Sequence, residues 1–560
     1  MFFLSLATIT PSANSASGGI REGVPQLIVI VLYLSLLLLL GWFSSRMFRG
    51  TRTDYQAASH SIGPFLLLMS IFGTTMTAFA LVGSTGQAYR EGIGVYGMMA
   101  SSSGIVHSLC FFLIGVKVWH IARRYHYTTQ VEFFRNRLDS GLVGLLLFPI
   151  LVAMVIPYLL VGVISSGVVV QSLTAGLAPE LAWFQVFDGQ GNPDPRVHGG
   201  VPAWLGSLVI CCVVSVYVFF GGMRGTAWAN AFQTLVFMIF GVITFVLIAN
   251  KLGQQDNFLA NLQTLGNSIP DAHASRSQMS HTIFLSYLLI PLSVGMFPHV
   301  FQHWMTARGA RTFQLPVIMH PIFIMIVWVP CVLVGAWAQG NLIPDSPPKP
   351  PVSEANAILP FLVRTLTTPL VGGFLAAGIL AAIMSSLDSQ FLCLGTMFNN
   401  DIVHYYAGEN RFTDRQQVLI TRGFIVAIVT VTYLLGLWLG PKSNVFALGI
   451  WCFSGFTALF PIIVAALYWR RLTAVGAIAG IVAAMFVWGI LIYYAKASGN
   501  LQAYSVAIPV GGSTYLVKPV VPMLLSSTIA MVVVSLVTRP PADSILRKFF
   551  PSDPGKTRSA

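Results

Sequence analysis

The chain has 560 residues, of which 55% are hydrophobic and only 9% charged, with a mean hydropathy of +0.75 and a formal net charge of +13. Soluble domains carry about 25% charged residues, so this composition excludes a soluble globular protein and predicts an all-α polytopic membrane protein. The basic residues are spread over many short loops, which is a topology signal and not a nucleic-acid footprint.

Apolar runs predict about thirteen transmembrane helices, near 25–44, 63–83, 94–119, 142–174, 202–220, 228–250, 282–305, 315–338, 369–395, 419–439, 445–468, 473–495 and 519–538. Residues 1–24 have a short apolar stretch with no basic segment before it, and read as an outer tail and not a signal peptide. Arg46, Arg49 and Arg52 follow the first run, Arg123, Arg124, Arg135 and Arg137 the third, Arg224 the fifth, and Arg308 and Arg311 the seventh. Arg411, Arg415 and Arg422 follow the ninth and Arg470 and Arg471 the eleventh, while the tail 539–560 is basic. All fall on one side if the amino terminus is outside. The opposite loops hold Asp188, Asp194, Asp256, Asp271, Asp345 and Glu354. An odd number of spans then places the carboxyl terminus in the cytoplasm, in a multi-pass protein of the plasma (inner) membrane. The six cysteines all fall in spans without a C-x-x-C pair, which argues for packing and against disulfides or a metal centre.

Two runs are interrupted. The second reads Gly63-Pro64, then Ser70 to Thr77 with Gly73 and Met76, then Gly83-Ser84-Thr85-Gly86-Gln87. The seventh reads Pro291 to His299 with Gly295 and Pro298, ending at Gln302-His303. Gly and Pro weaken a helix and free backbone carbonyls and amides, which survive in a membrane only when buried or lining a cavity. Breaks five spans apart point to a binding site built on inverted repeats. This gives a core of spans 2–6 and 7–11, about residues 63–250 and 282–468, with one helix before and two appended, inside a transmembrane domain of 25–538.

The ninth run carries Ser385-Ser386-Leu387-Asp388-Ser389. Helical spacing clusters these oxygens on one side, and ionisable groups inside spans mark ion or substrate pathways. Oxygen ligands suit a hard cation such as sodium. The competing reading is that each serine bonds back to a carbonyl one turn earlier or glues helices together.

These motifs, in this order, resemble the sodium:solute symporter family over about residues 25–470. Its marks are Asp54-Tyr55 to Gly63-Pro64, Gly83 to Tyr89, Gly221-Gly222-Met223-Arg224-Gly225-Thr226-Ala227-Trp228, Pro298-His299, and Ala381-Ala382-Ile383-Met384-Ser385-Ser386. The resemblance implies a LeuT-type 5+5 inverted repeat. It also implies a sodium site made by the carbonyls of Gly73, Met76 and Ala382 with the hydroxyls of Ser385 and Ser386. Several family members carry an aspartate where this chain has Asn230, and use it in a second sodium site. Here the carboxylate stands at Asp388 instead, so two readings remain. Asn230, Asp388 and Ser389 form a second cation site with its charge moved, or Asp388 does something else, such as accepting a hydrogen bond from Asn230.

Gln87, Tyr89, His299 and Gln302, with His303, are the polar candidates for solute contact beside the breaks, each of which also suits an interhelical hydrogen bond. The expected function is sodium-coupled uptake of a small organic solute, with carboxylates or amino-acid-like molecules favoured, by alternating access. Its partners are the solute, sodium and the bilayer, with no nucleic acid, no cofactor beyond the coupling ion, no enzymatic step, and a monomer as the working unit. Proton coupling through Asp388 or His299, or a transporter-like solute sensor, are the rival readings.

Overall fold

A computed structural model describes residues 22–550 except 47–49, 278, 345–346, 409–410, 500 and 502–503, and the side chains of 98–101. The expected outer tail up to residue 21, the end of the cytoplasmic tail from 551, Arg49 and Asp345 lie outside the described residues.

Apart from short helices at Arg52–Ala57, Phe258–Asn267 and Ile358–Leu366, the helices in chain order are α1 (Val24–Ser45), the pair α2 (Pro64–Thr75) and α3 (Phe79–Glu91), α4 (Gly94–Tyr125), the short α5 (Gln130–Leu138) and α6 (Gly141–Leu173). Then come α7 (Ala203–Gly253), the pair α8 (His281–Gly295) and α9 (Pro298–Thr306), α10 (Ala310–Trp337) and α11 (Pro369–Ala407). The chain continues through α12 (Asp414–Leu439), α13 (Val445–Tyr468) and α14 (Ala474–Ala497), and closes with α15 (Val520–Val537) and the short α16 (Asp543–Phe549). Among the described residues, ten helices are long and apolar enough to cross a membrane, or twelve if each bent pair is one span. The pairs bend by 51° and 47°, at the two interruptions the sequence marks.

Each expected run has its helix, but α3, α4 and α11 extend to Glu91, Tyr125 and Ala407, past the expected ends at 83, 119 and 395, and there are two larger differences. The fifth and sixth runs form a single 51-residue helix, α7, whose only non-helical residue is Gly222, at φ 54° and ψ −154°. At about 1.5 Å per residue such a helix would be far longer than the ~30 Å hydrocarbon layer, and Gly222 is where it turns. Only glycine adopts that backbone readily, and a Cβ there would lie 2.7 Å from the Tyr55 carbonyl oxygen. The all-α expectation also misses a hairpin, β1 (Val506–Val510) paired antiparallel with β2 (Ser513–Val517). Its two-residue turn, Gly511-Gly512, has positive φ at both positions, as a tight hairpin requires.

The core sits around α11, whose side chains are buried almost throughout from Gly372 to Met397, on every face. It packs against α1, α2, α6, α7 and α12. A helix apolar all round is buried all round, so its few oxygens must find partners inside the protein.

Ion pairs tie the loops on each face. On one, Arg196 reaches Asp194 at 2.7 Å and Glu354 at 3.1 Å, and Glu354 also meets Lys442 at 2.9 Å. On the other, Arg224, just past the Gly222 turn, meets Asp54 at 2.8 Å. Arg135 of α5 reaches Asp401 at 3.6 Å, and Gln130 donates to the Met296 carbonyl at 3.2 Å, beside the second break.

Candidate functional site

The first break follows from hydroxyl chemistry. Thr75 turns its hydroxyl back to the carbonyls of Ile71 and Phe72, at 2.8 and 3.0 Å, and α2 ends. Met76 is non-helical, with φ −90° and ψ 88°, and Thr77 Oγ1 accepts the Phe79 amide at 3.0 Å to start α3. Gly73 brings α2 close to its neighbours, since a Cβ there would stand 2.6 Å from Thr234 Oγ1 and 3.5 Å from Ser385 Cβ.

Against this break runs α11. Ser385 Oγ donates to the Gly73 carbonyl at 2.8 Å and lies 3.1 Å from the Ala382 carbonyl. Ser386 Oγ accepts from Gln390 Nε2 at 2.6 Å. Gly73, Ala382 and Ser385 are thus brought together, Met76 closes the helix beside them, and all five expected ligands are buried. Three oxygens from two helices within hydrogen-bond distance make a donor set that fits a hard monovalent cation.

One turn along α11, Asp388 and Ser389 face α7. Tyr217 donates its hydroxyl to Asp388 Oδ2 at 2.9 Å, and Gln233 Nε2 lies 3.4 Å from that hydroxyl. The Asn230 amide satisfies its neighbours with its nitrogen toward Asp388, 3.1 Å from both carboxylate oxygens and from the Ser385 carbonyl, and its oxygen accepting from Ser389 at 2.9 Å. Ser389 Oγ is also 3.0 Å from Asp388 Oδ1 and 3.3 Å from His303 Nε2. The two clusters meet at Ser385, whose hydroxyl belongs to the first and whose carbonyl to the second.

The profile of the sodium:solute symporter family matches residues 200–484, just over half of the chain. The chain belongs to the sodium:solute symporter family. Its function is accordingly sodium-coupled solute uptake, a transport activity. This symporter is 23% identical over 542 residues to a sodium/proline symporter of Staphylococcus aureus, covering 92% of this chain and 93% of that protein. Its fold is similar to that of a Na+-coupled sialic acid symporter, with a TM-score of 0.66 and 16% identity over 92% of this chain and 98% of that one.

The symporter treats the four expected solute contacts differently. Tyr89 donates its hydroxyl to the Pro350 carbonyl at 2.9 Å, Gln87 bonds Glu91 one turn on, and Gln302 Nε2 meets the Gln56 carbonyl at 2.8 Å and Thr396 Oγ1 at 3.2 Å. Gln302 Oε1 is buried without a partner among the described residues, but its amide nitrogen and Tyr89 are spent on holding elements together, and Gln87 on its own helix. His299 is not: it is buried, stacks on Phe297 at 5.3 Å, and neither ring nitrogen has a hydrogen-bond partner among the described residues.

Sequence reasoning missed Tyr158, which packs on His299 at 5.7 Å and on Phe297 at 5.5 Å, and whose hydroxyl interacts with Thr77 and Ser386. It also missed Tyr217 and Gln390. Tyr158 follows Pro157 in an otherwise apolar run, and Gln390 sits one turn beyond Ser386. Polar groups isolated in spans were the available signal.

Proposed function

We propose that sodium is held at the first break by the carbonyls of Gly73, Met76 and Ala382 and the hydroxyls of Ser385 and Ser386, with the solute beside it. The observation that carries this reading is the approach of Ser385 Oγ to the Gly73 and Ala382 carbonyls. The solute lies against His299, Tyr158 and Phe297, where an unpartnered imidazole and an aromatic wall supply one polar fixture in an apolar pocket. The amino end of α9, opened by Phe297-Pro298, favours a carboxylate there. The likeness to a sodium/proline symporter supports a small carboxylate or amino acid as the solute class.

Dividing α7 at Gly222 brings the count to thirteen spans, arranged as two inverted five-helix repeats with α1 before them and α14 and α15 appended. The chain resides in the plasma membrane as a monomer, amino terminus outside, and needs no cofactor besides the coupling ion. Each charge entering down the membrane potential contributes about 2.3 kcal/mol per 100 mV. Coupling is the difference in solute affinity that bound sodium creates between the outward and inward states.

A second cation position follows from Asp388, whose hydrogen-bond partners Tyr217, Asn230 and Ser389 are all neutral. A buried carboxylate so placed calls for a compensating cation or proton. The deciding experiment is uptake of labelled carboxylates and amino acids into vesicles with sodium or choline outside, with and without a proton gradient. Uptake that follows sodium supports the reading, and uptake driven by the proton gradient alone overturns the assignment of the coupling ion.

A further inference from the structure

Arg137 is a buried cation that neither site uses. It sits on α5, where Nε donates to the Ala466 carbonyl at 2.8 Å and Nη2 to the Trp469 carbonyl at 3.2 Å, joining α5 to the end of α13. Its side chain is fully buried, and Nη1 has no hydrogen-bond partner among the described residues. Burial pushes its guanidinium down to about 10. A buried guanidinium is tolerated when an anion, hydrogen bonds or aromatic faces meet it; the rings of Phe549 and Phe550 lie 5.7 and 5.1 Å from Cζ, and Nη1 is left without a hydrogen bond among the described residues.

Arg137 lines a cleft of about 570 Å³, and so does the exposed Arg539. Thr473 and Thr538 add hydroxyls, 2.8 Å from each other. Beside them Arg471 gives Nη2 to the carbonyls of Leu536 and Thr538, at 3.0 and 2.7 Å, while its own Nη1 is unpartnered among the described residues. Asp139 also lines the cleft, and its charge acts on Lys548. The remaining wall is aliphatic, with Val475 and Val537 exposed. Thr473 caps the start of α14 and Thr538 caps the end of α15, so the cleft lies where two spans leave the hydrocarbon. Guanidinium groups beside an aliphatic wall at that depth match a molecule with a phosphate at the interface and acyl chains alongside.

We propose that this cleft binds the phosphate of an anionic glycerophospholipid from the leaflet on the carboxyl-terminal side, clamping α5 to the ends of α14 and α15. The lipid reaches the loop helix that donates to the Met296 carbonyl at the second break. Arg137 itself is a poor probe, because its loss also frees two carbonyls of α13. Arg539 is exposed, and Ala542 is exposed on the cleft wall.

The test is native mass spectrometry of the purified full chain, delipidated and then titrated with phosphatidylglycerol or phosphatidylcholine. Phosphatidylglycerol should be retained preferentially. Arg539→Gln should weaken its retention about fivefold, the effect of one cation near an anionic headgroup, and Ala542→Trp should block it by filling the cleft. Both variants should keep the thermal midpoint of the lipid-free wild type. Equal retention of the two lipids, or phosphatidylglycerol retention unchanged in both variants, would overturn the proposal. Displacement of the lipid by millimolar inorganic phosphate would mean that a soluble phosphate is the ligand, and would overturn the lipid source.

Discussion

Ser385 and Ser386 use their hydroxyls differently: the first donates to the backbone of the broken helix, the second accepts from Gln390. Replacing both with alanine should raise the sodium requirement of uptake about tenfold or more, since a lost ligand worth about 1.4 kcal/mol is tenfold in affinity. Sodium-activation curves that overlay wild type in a well-expressed double mutant would remove this pair from the site. Asp388 offers a sharper test. If it carries the charge of a second cation position, Asp388→Asn should weaken uptake and Asn230→Asp should partly restore it in the double mutant. Asn230→Asp alone sets two carboxylates together and should give uptake a new pH dependence. A double-mutant cycle on uptake measures the coupling, and strictly additive losses would mean the two residues do not share a site. The serines, Gly73 and Asp388 were legible because oxygens and glycine inside apolar runs are costly without a purpose. Tyr217 and Tyr158 were not, because a lone tyrosine in an apolar run reads as packing until its hydroxyl partner is known. Nor could spacing separate His299 from Gln302, since what distinguishes them is which partners the fold leaves them.

At the scale of elements, α7 is where sequence and structure part. Hydropathy places two spans there and a gap between them, but helical hydrogen bonding continues on both sides of Gly222 and the reversal takes one residue. Gly222→Ala should therefore lower the thermal midpoint in detergent markedly, since the φ of +54° and the Tyr55 carbonyl at 2.7 Å both oppose a Cβ, with strain of order 1–3 kcal/mol for the backbone alone. Gly241→Ala, in the same helix with nothing within 4 Å of the added Cβ, should leave the midpoint unchanged or raise it. Equal effects at the two positions would refute the turn's role. The β1–β2 hairpin went unread for another reason. Its strands are short and flank a double glycine, a pattern that a search for long apolar runs passes over.

For the molecule as a whole, orientation is the quantity to test. In a background with the six native cysteines replaced, Gly189→Cys should react with an impermeant thiol reagent outside intact cells, and Arg411→Cys should not. The reverse pattern would invert the transport direction. The Asp194–Arg196–Glu354–Lys442 cluster gives a pH signature. Burial lifts the Asp194 carboxyl, but the hydrogen bonds and charge of Arg196 outweigh it and hold it below the usual carboxylate range. A depressed folded value contributes stability above the unfolded pKa of about 3.9, lost as pH falls through the folded value. Asp194→Asn should thus lower the thermal midpoint at pH 7, and the difference from wild type should shrink as pH drops below about 4. A pH-independent difference would mean that the residue acts by packing alone. The one-residue reversal at Gly222 also leaves no slack between the two halves of α7. Tyr55 hooks its hydroxyl on the Val218 and Phe219 carbonyls, and Asp54 grips Arg224 just beyond the turn. The segment leading into α2 is thereby riveted to a stiff hairpin of helices. Any tilt of that hairpin is passed as a lever stroke to the stretch of chain that leads to the Gly73 carbonyl, so the proposed sodium position is coupled directly to the swing of α7.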